Sequence, residues 1–188
     1  MKILPLTSLV ALCALAGAAA AQTVLPESSE IRFVTRQMGV PVEGRFTRWQ
    51  AQVKFDPAQL SASQVGFSID TRSIAFGAAD AEAEAAKPAW FNSAQFPQAQ
   101  FKSGAIKFNG PGRYEVAGTL TIKGQSREVV VPVLMVPGPV RGQATASGSF
   151  TLKRMDFLLG EGEWSDLSVV ANDVQVRFKL QLAGLLPP

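Results

Sequence analysis

The chain reads as an all-β domain of eight antiparallel strands, closed as a barrel or stacked as a two-sheet sandwich. Three observations predict this: apolar and polar residues alternate along most of the chain, turn compositions separate the alternating runs, and each run carries one apolar face. The clearest run is 174–182, where Val174, Val176, Phe178, Leu180 and Leu182 share one face and Gln175, Arg177, Lys179 and Gln181 the other. In 114–122, Tyr114, Val116, Gly118, Leu120 and Ile122 oppose Glu115, Ala117 and Thr119. In 144–152, Ala144, Ala146, Gly148, Phe150 and Leu152 oppose Thr145, Ser147, Ser149 and Thr151. Five weaker runs lie near 30–38, 42–55, 65–71, 98–108 and 126–136.

Two runs change parity midway. The apolar face moves from Phe46 to Val53 and Phe55 in one, and from Phe101 to Ile106 and Phe108 in the other. A β-bulge inserts one residue and restores the facing, and such bends help close a sheet. Most links are short and rich in Gly and Pro, such as Lys123-Gly124-Gln125 and Pro137-Gly138-Pro139. Two are long. The connection 72–97, between strands 3 and 4, contains "GAADAEAEAAK" before Pro88 and predicts a short helix. The other, 154–172, contains Phe157, Leu158, Leu159 and Trp164. In an up-and-down barrel alternate links share an end, so both long connections and the link after strand 1 are expected at one mouth. Gln37, at the end of the first strand, reads as the last inward residue there.

The first 21 residues read as a secretory signal peptide: a basic start, an apolar run from Ile3 and an alanine-rich exit before Gln22. Residues 22–188 are then one domain of 167 residues, long enough for a sizeable core. The single cysteine, Cys13, falls in the signal, which leaves the domain without thiol or disulfide chemistry. The export signal points to the periplasm. The domain carries 17 basic and 15 acidic residues, scattered along the chain, which gives no support to nucleic-acid binding. No later segment is long and apolar enough for stable membrane insertion.

The chain has no histidine, which removes the usual general base, the commonest metal ligand and the near-neutral pH switch. No metal site, cofactor or catalytic residue is expected. Asp80, Glu82 and Glu84 form the densest acidic cluster and read as a solvated helix face. "GEGEW" (Gly160–Trp164) lacks the lysine of a phosphate loop and reads as a flexible lid. Inside the barrel, Gly44, Gly118, Ala144, Ala146 and Gly148 alternate with phenylalanines. Either small and large residues interlock to fill the lumen, or the small ones leave an apolar tunnel.

The segments "SEIRFVTRQMGVPVEGRF", "FDP", "IDTRSI", "WFNSAQFPQAQFKS", "VAGTLTIKGQSREVVVPV" and "LKRMDF" run in order through the domain. Together they resemble the YceI-like family. The resemblance implies an exported, eight-stranded lipocalin-like barrel holding a long amphiphile, a polyisoprenoid lipid or an isoprenoid quinone, with no enzymatic hallmark. Gln37 stands where many members appear with histidine, and 77–87 departs from their pattern. On this reading the tail lies along Phe33, Phe46, Phe67, Ile69, Phe101, Leu120, Phe150, Val176 and Phe178. The head group lies at the mouth near Gln37, Trp90, Phe91, Arg154, Phe157 and Trp164. The expected partner is an isoprenoid lipid, with a homodimer and a membrane donor or acceptor protein as open candidates. The rival readings are a filled barrel acting as a protein-interaction module and a lipid-modifying enzyme.

Overall fold

A computed structural model describes residues 22–185; the expected signal peptide at 1–21 lies outside the described residues. The elements are β1 (Thr23–Gln37), β2 (Val40–Phe46), β3 (Trp49–Lys54), β4 (Gln64–Asp70), β5 (Ile74–Ala75), α1 (Ala79–Ala85), β6 (Gln98–Phe108), β7 (Arg113–Ile122), β8 (Gln125–Pro137), β9 (Gln143–Lys153) and β10 (Asp173–Ala183). All ladders are antiparallel, in the order β3-β4-β6-β7-β8-β9-β10-β1-β2-β5.

Ten strands replace the expected eight for a physical reason. The run 42–55 does not stay in one ladder: β2 pairs with β1, β3 pairs with β4, and exposed Thr47 and Arg48 make the corner between them. Two consecutive outward residues here account for the parity change, since Gly44 and Phe46 face inward before the corner and Trp49, Ala51 and Val53 after it. The corner therefore carries the sheet round on itself and brings its two edge regions together. β5 is a two-residue addition against β2. The second parity change is a register shift between Ser103 and Ala105 in β6, at Gly104. β1 begins earlier than expected and is itself irregular between Leu25 and Glu30.

Two hairpins turn on two residues with positive φ, Met38-Gly39 and Lys123-Gly124, the backbone that matches strand twist in tight hairpins. α1 lacks a side-chain cap from Ala78. The Glu82 carboxylate instead reaches back to the segment before the helix, accepting from the amides of Phe76 (3.0 Å) and Gly77 (3.1 Å). Asp80 and Glu84 lie outside the core, and Glu84 pairs with Lys87.

The three links expected at one mouth meet there, and the β7–β8 hairpin joins them. The Met38 amide donates to Val169, and the Ala171 amide donates to Arg36. The amides of Gly160 and Glu161 both donate to the Ala89 carbonyl, joining the two long connections. Lys123, in the β7–β8 hairpin, donates from Nζ to the Leu158 carbonyl and the Glu161 carboxylate, both at 2.7 Å.

Candidate ligand-binding site

A cavity of about 150 Å³ lies within the curled sheet, and among the described residues Tyr114 is the only lining side chain with an oxygen or nitrogen. Its wall is built by strand alternation: inward residues from β1, β3, β4, β6, β7, β8, β9 and β10 converge on it. Seven of the nine expected tail residues line it: Phe67, Ile69, Phe101, Leu120, Phe150, Val176 and Phe178. Phe33 and Phe46 do not. Their rings meet at 5.5 Å, tilted by 43°, and join Ile74, Ala85, Phe76 and Phe91 in a cluster that touches the lumen wall at Val176. Val116, Ala146, Leu180 and Tyr114 also line the lumen, and the alternation that marked their faces was the signal for them.

The choice between interlocked packing and a tunnel resolves into a combination. Phe33 lies over Gly44, Phe178 over Gly148 and Phe101 over Gly118. In the first two pairs the residues are direct cross-strand neighbours. An added Cβ at any of these glycines would run into the ring that covers it. The missing side chains let Phe101 and Phe178 lie back against the wall, and the lumen stays open at its centre.

The mouth is a plug. Arg154 is 2% exposed, and its guanidinium donates to five backbone carbonyls. Nη1 reaches Leu159 (2.6 Å) and Gly160 (3.0 Å), Nη2 reaches Trp164 (2.7 Å) and Val170 (2.8 Å), and Nε reaches Ala171 (3.1 Å). A guanidinium has five N–H donors, so none is left for a head group. Arg154 is thus corrected from a head-group contact to the organiser of the 154–172 connection. Burial pushes its pKa down. Gly160, at φ 81°, is required because a Cβ there would strike the guanidinium.

Trp90 packs on Trp164 at 5.8 Å and under the Arg154 guanidinium at 5.6 Å. Phe157 is 1% exposed beneath Arg127, and Phe91 meets Phe46 edge-on at 6.1 Å. Gln37 is also corrected: it is exposed, its backbone bridged to Val170 at the strand end, rather than facing the lumen. The "GEGEW" stretch is not a free lid, being pinned at Gly160 and Glu161. Thr35 Oγ1 and the indole N–H groups of Trp90 and Trp164 are buried without a hydrogen-bond partner among the described residues.

A profile of the YceI-like domain matches residues 22–182. The chain belongs to the YceI-like family. A UPF0312 protein of Vibrio cholerae is 28% identical over 155 residues, covering 78% of this chain and 82% of that protein. The crystal structure of Burkholderia cenocepacia BcnA superposes with a TM-score of 0.81 at 39% identity, over 85% of this chain and 99% of that one. A polyisoprenoid-binding domain from Saccharophagus degradans matches with a TM-score of 0.71 at 16% identity, over 89% of this chain and 99% of that one. At that identity the last likeness speaks to the fold. Among the described residues no group of acidic side chains is placed to hold a metal ion, and no helix is long and apolar enough to cross a membrane.

Proposed function

We propose that this YceI-like barrel is a binding protein for a long amphiphilic isoprenoid lipid, a polyprenyl lipid or isoprenoid quinone, carried in the periplasm after export on its leader. The observation that carries the reading is the lumen: a tube wall of aliphatic and phenyl groups, with one phenol at one end. An apolar lining holds its ligand by burying apolar surface, and each buried methylene contributes ~0.8 kcal/mol. The polyisoprenoid-binding domain with the same fold supports the ligand class.

The cavity, at about 150 Å³, is below the roughly 300–1,000 Å³ usual for small-molecule sites. A long chain is accommodated when Phe67 and Phe150 turn out of the centre, Phe101 and Phe178 already lying back over Gly118 and Gly148. Titrating the protein with prenyl alcohols of increasing length tests this. Affinity is expected to climb with each isoprene unit until the lumen is filled. Equal, weak binding of all lengths would count against a tail-selective lumen.

A further inference from the structure

The barrel wall is not sealed all round. The β1–β2 ladder stops at Arg32–Arg45, and the next backbone bridge across that seam is Gln22–Val53, near the opposite end. Between them, among the described residues, no ladder joins β1 to β3. Two irregularities produce the gap: β1 bulges between Leu25 and Glu30, and the chain leaves β2 at the Thr47-Arg48 corner. Outside the seam lies a groove of about 730 Å³, whose lining includes the inward residues Ile31, Phe46 and Trp49 and the outward Arg45, Arg48 and Asp70. Ile31 lines both this groove and the central cavity. Trp49 of the groove also packs on Phe67 of the lumen wall, at 6.5 Å between ring centroids.

We infer that the β1/β3 seam is the ligand's lateral portal and that the outer groove holds its head group, a head presenting hydrogen-bond-accepting oxygens. The inference rests on the lipid-binding reading. The plugged mouth leaves no room for a head: Arg154 is saturated, and Trp90 and Trp164 pack on each other. The groove has the room, reaches the lumen through Ile31, and offers a cation. Arg48 is bound to Asp70 at 2.9 Å, whereas Arg45 is exposed and has no partner among the described residues. A charged donor facing an oxygen head would contribute a charge-assisted hydrogen bond.

The three tryptophans make the test, since Trp49 sits at the seam and Trp90 and Trp164 at the mouth. A geranylgeranyl probe with a nitroxide at its head quenches emission only at short range. Uptake is measured separately by mass spectrometry, and the folding of each variant by its melting curve. In the Trp90→Phe/Trp164→Phe variant quenching is expected to persist, and in Trp49→Phe it is expected to vanish. For geranylgeranyl phosphate, Arg45→Met is expected to weaken binding about tenfold or more, while Lys107→Met, an equal charge loss elsewhere, leaves it unchanged. Quenching that survives in Trp49→Phe and vanishes in the double variant would place the head at the mouth, on the unpartnered indole N–H groups, and overturn the inference. Undiminished binding to Arg45→Met would also overturn it. Absence of uptake by the unmodified protein would defeat the lipid-binding reading itself.

Discussion

At the scale of single residues, Arg154 has the largest consequence. Replacing it with Met removes five donors and strands five carbonyls, several of them buried. We expect a loss of roughly 3–5 kcal/mol of stability, read from denaturant unfolding. Arg154→Lys recovers only part of this, because an ammonium has three donors and no planar fork. Gly118→Ala tests the ring-over-glycine arrangement. Its new Cβ would crowd both the Phe101 ring and the Lys102 carbonyl, so about 1–3 kcal/mol is lost and the lumen narrows. An unchanged melting curve would show that the wall yields there. Residue-scale roles were the least legible in the sequence. Arg154 read as a head-group contact because its partners are backbone carbonyls up to 17 residues away, and no pattern of side chains announces such a partner. Gln37 fitted the inward parity of Ile31 and Phe33, but parity carries no information about where the packed interior ends.

At the scale of elements, alternation was enough to place the strands and even their breaks, because side-chain direction reverses with every residue. Both parity changes correspond to real irregularities, at Thr47-Arg48 and at Gly104. Deleting Arg48 should therefore turn Trp49, Ala51, Val53 and Phe55 outward together. Loss of a cooperative unfolding transition is the expected result, and a normal transition would show that the corner absorbs the deletion. What periodicity did not show is the open seam. Whether two strands pair depends on register across the barrel, not on either strand's own pattern. The 154–172 connection has its own test. Lys123 is nearly buried, at 7% side-chain exposure, and binds Leu158 and Glu161. Lys123→Met should raise amide exchange across 158–165 selectively, leaving β6 and β7 protected.

At the scale of the whole molecule, the absence of histidine has a thermodynamic consequence. Burial works to raise the pKa of the Asp70 carboxyl, but the Arg72 amide and the Arg48 guanidinium outweigh it and hold the group below its ordinary value. The Ser168 hydroxyl and amide do the same for Asp166. A carboxyl depressed in the folded state contributes stability above its unfolded pKa, near 4, and that contribution is lost as pH falls through the folded value. The melting temperature is thus expected to be flat between about pH 5 and 8 and to fall below about pH 4. A step near neutrality would contradict this. The resemblance to the YceI-like family was legible because its segments run through the whole domain in order. The width of the lumen was not, since it depends on how far the phenyl rings lie back over Gly118 and Gly148.

Native mass spectrometry of protein released gently from the cells that make it tests the central claim most directly. The account predicts a bound species whose mass is that of an isoprenoid lipid and which is lost on organic extraction. Protein that emerges without lipid, and that no prenyl compound loads afterwards, would contradict it.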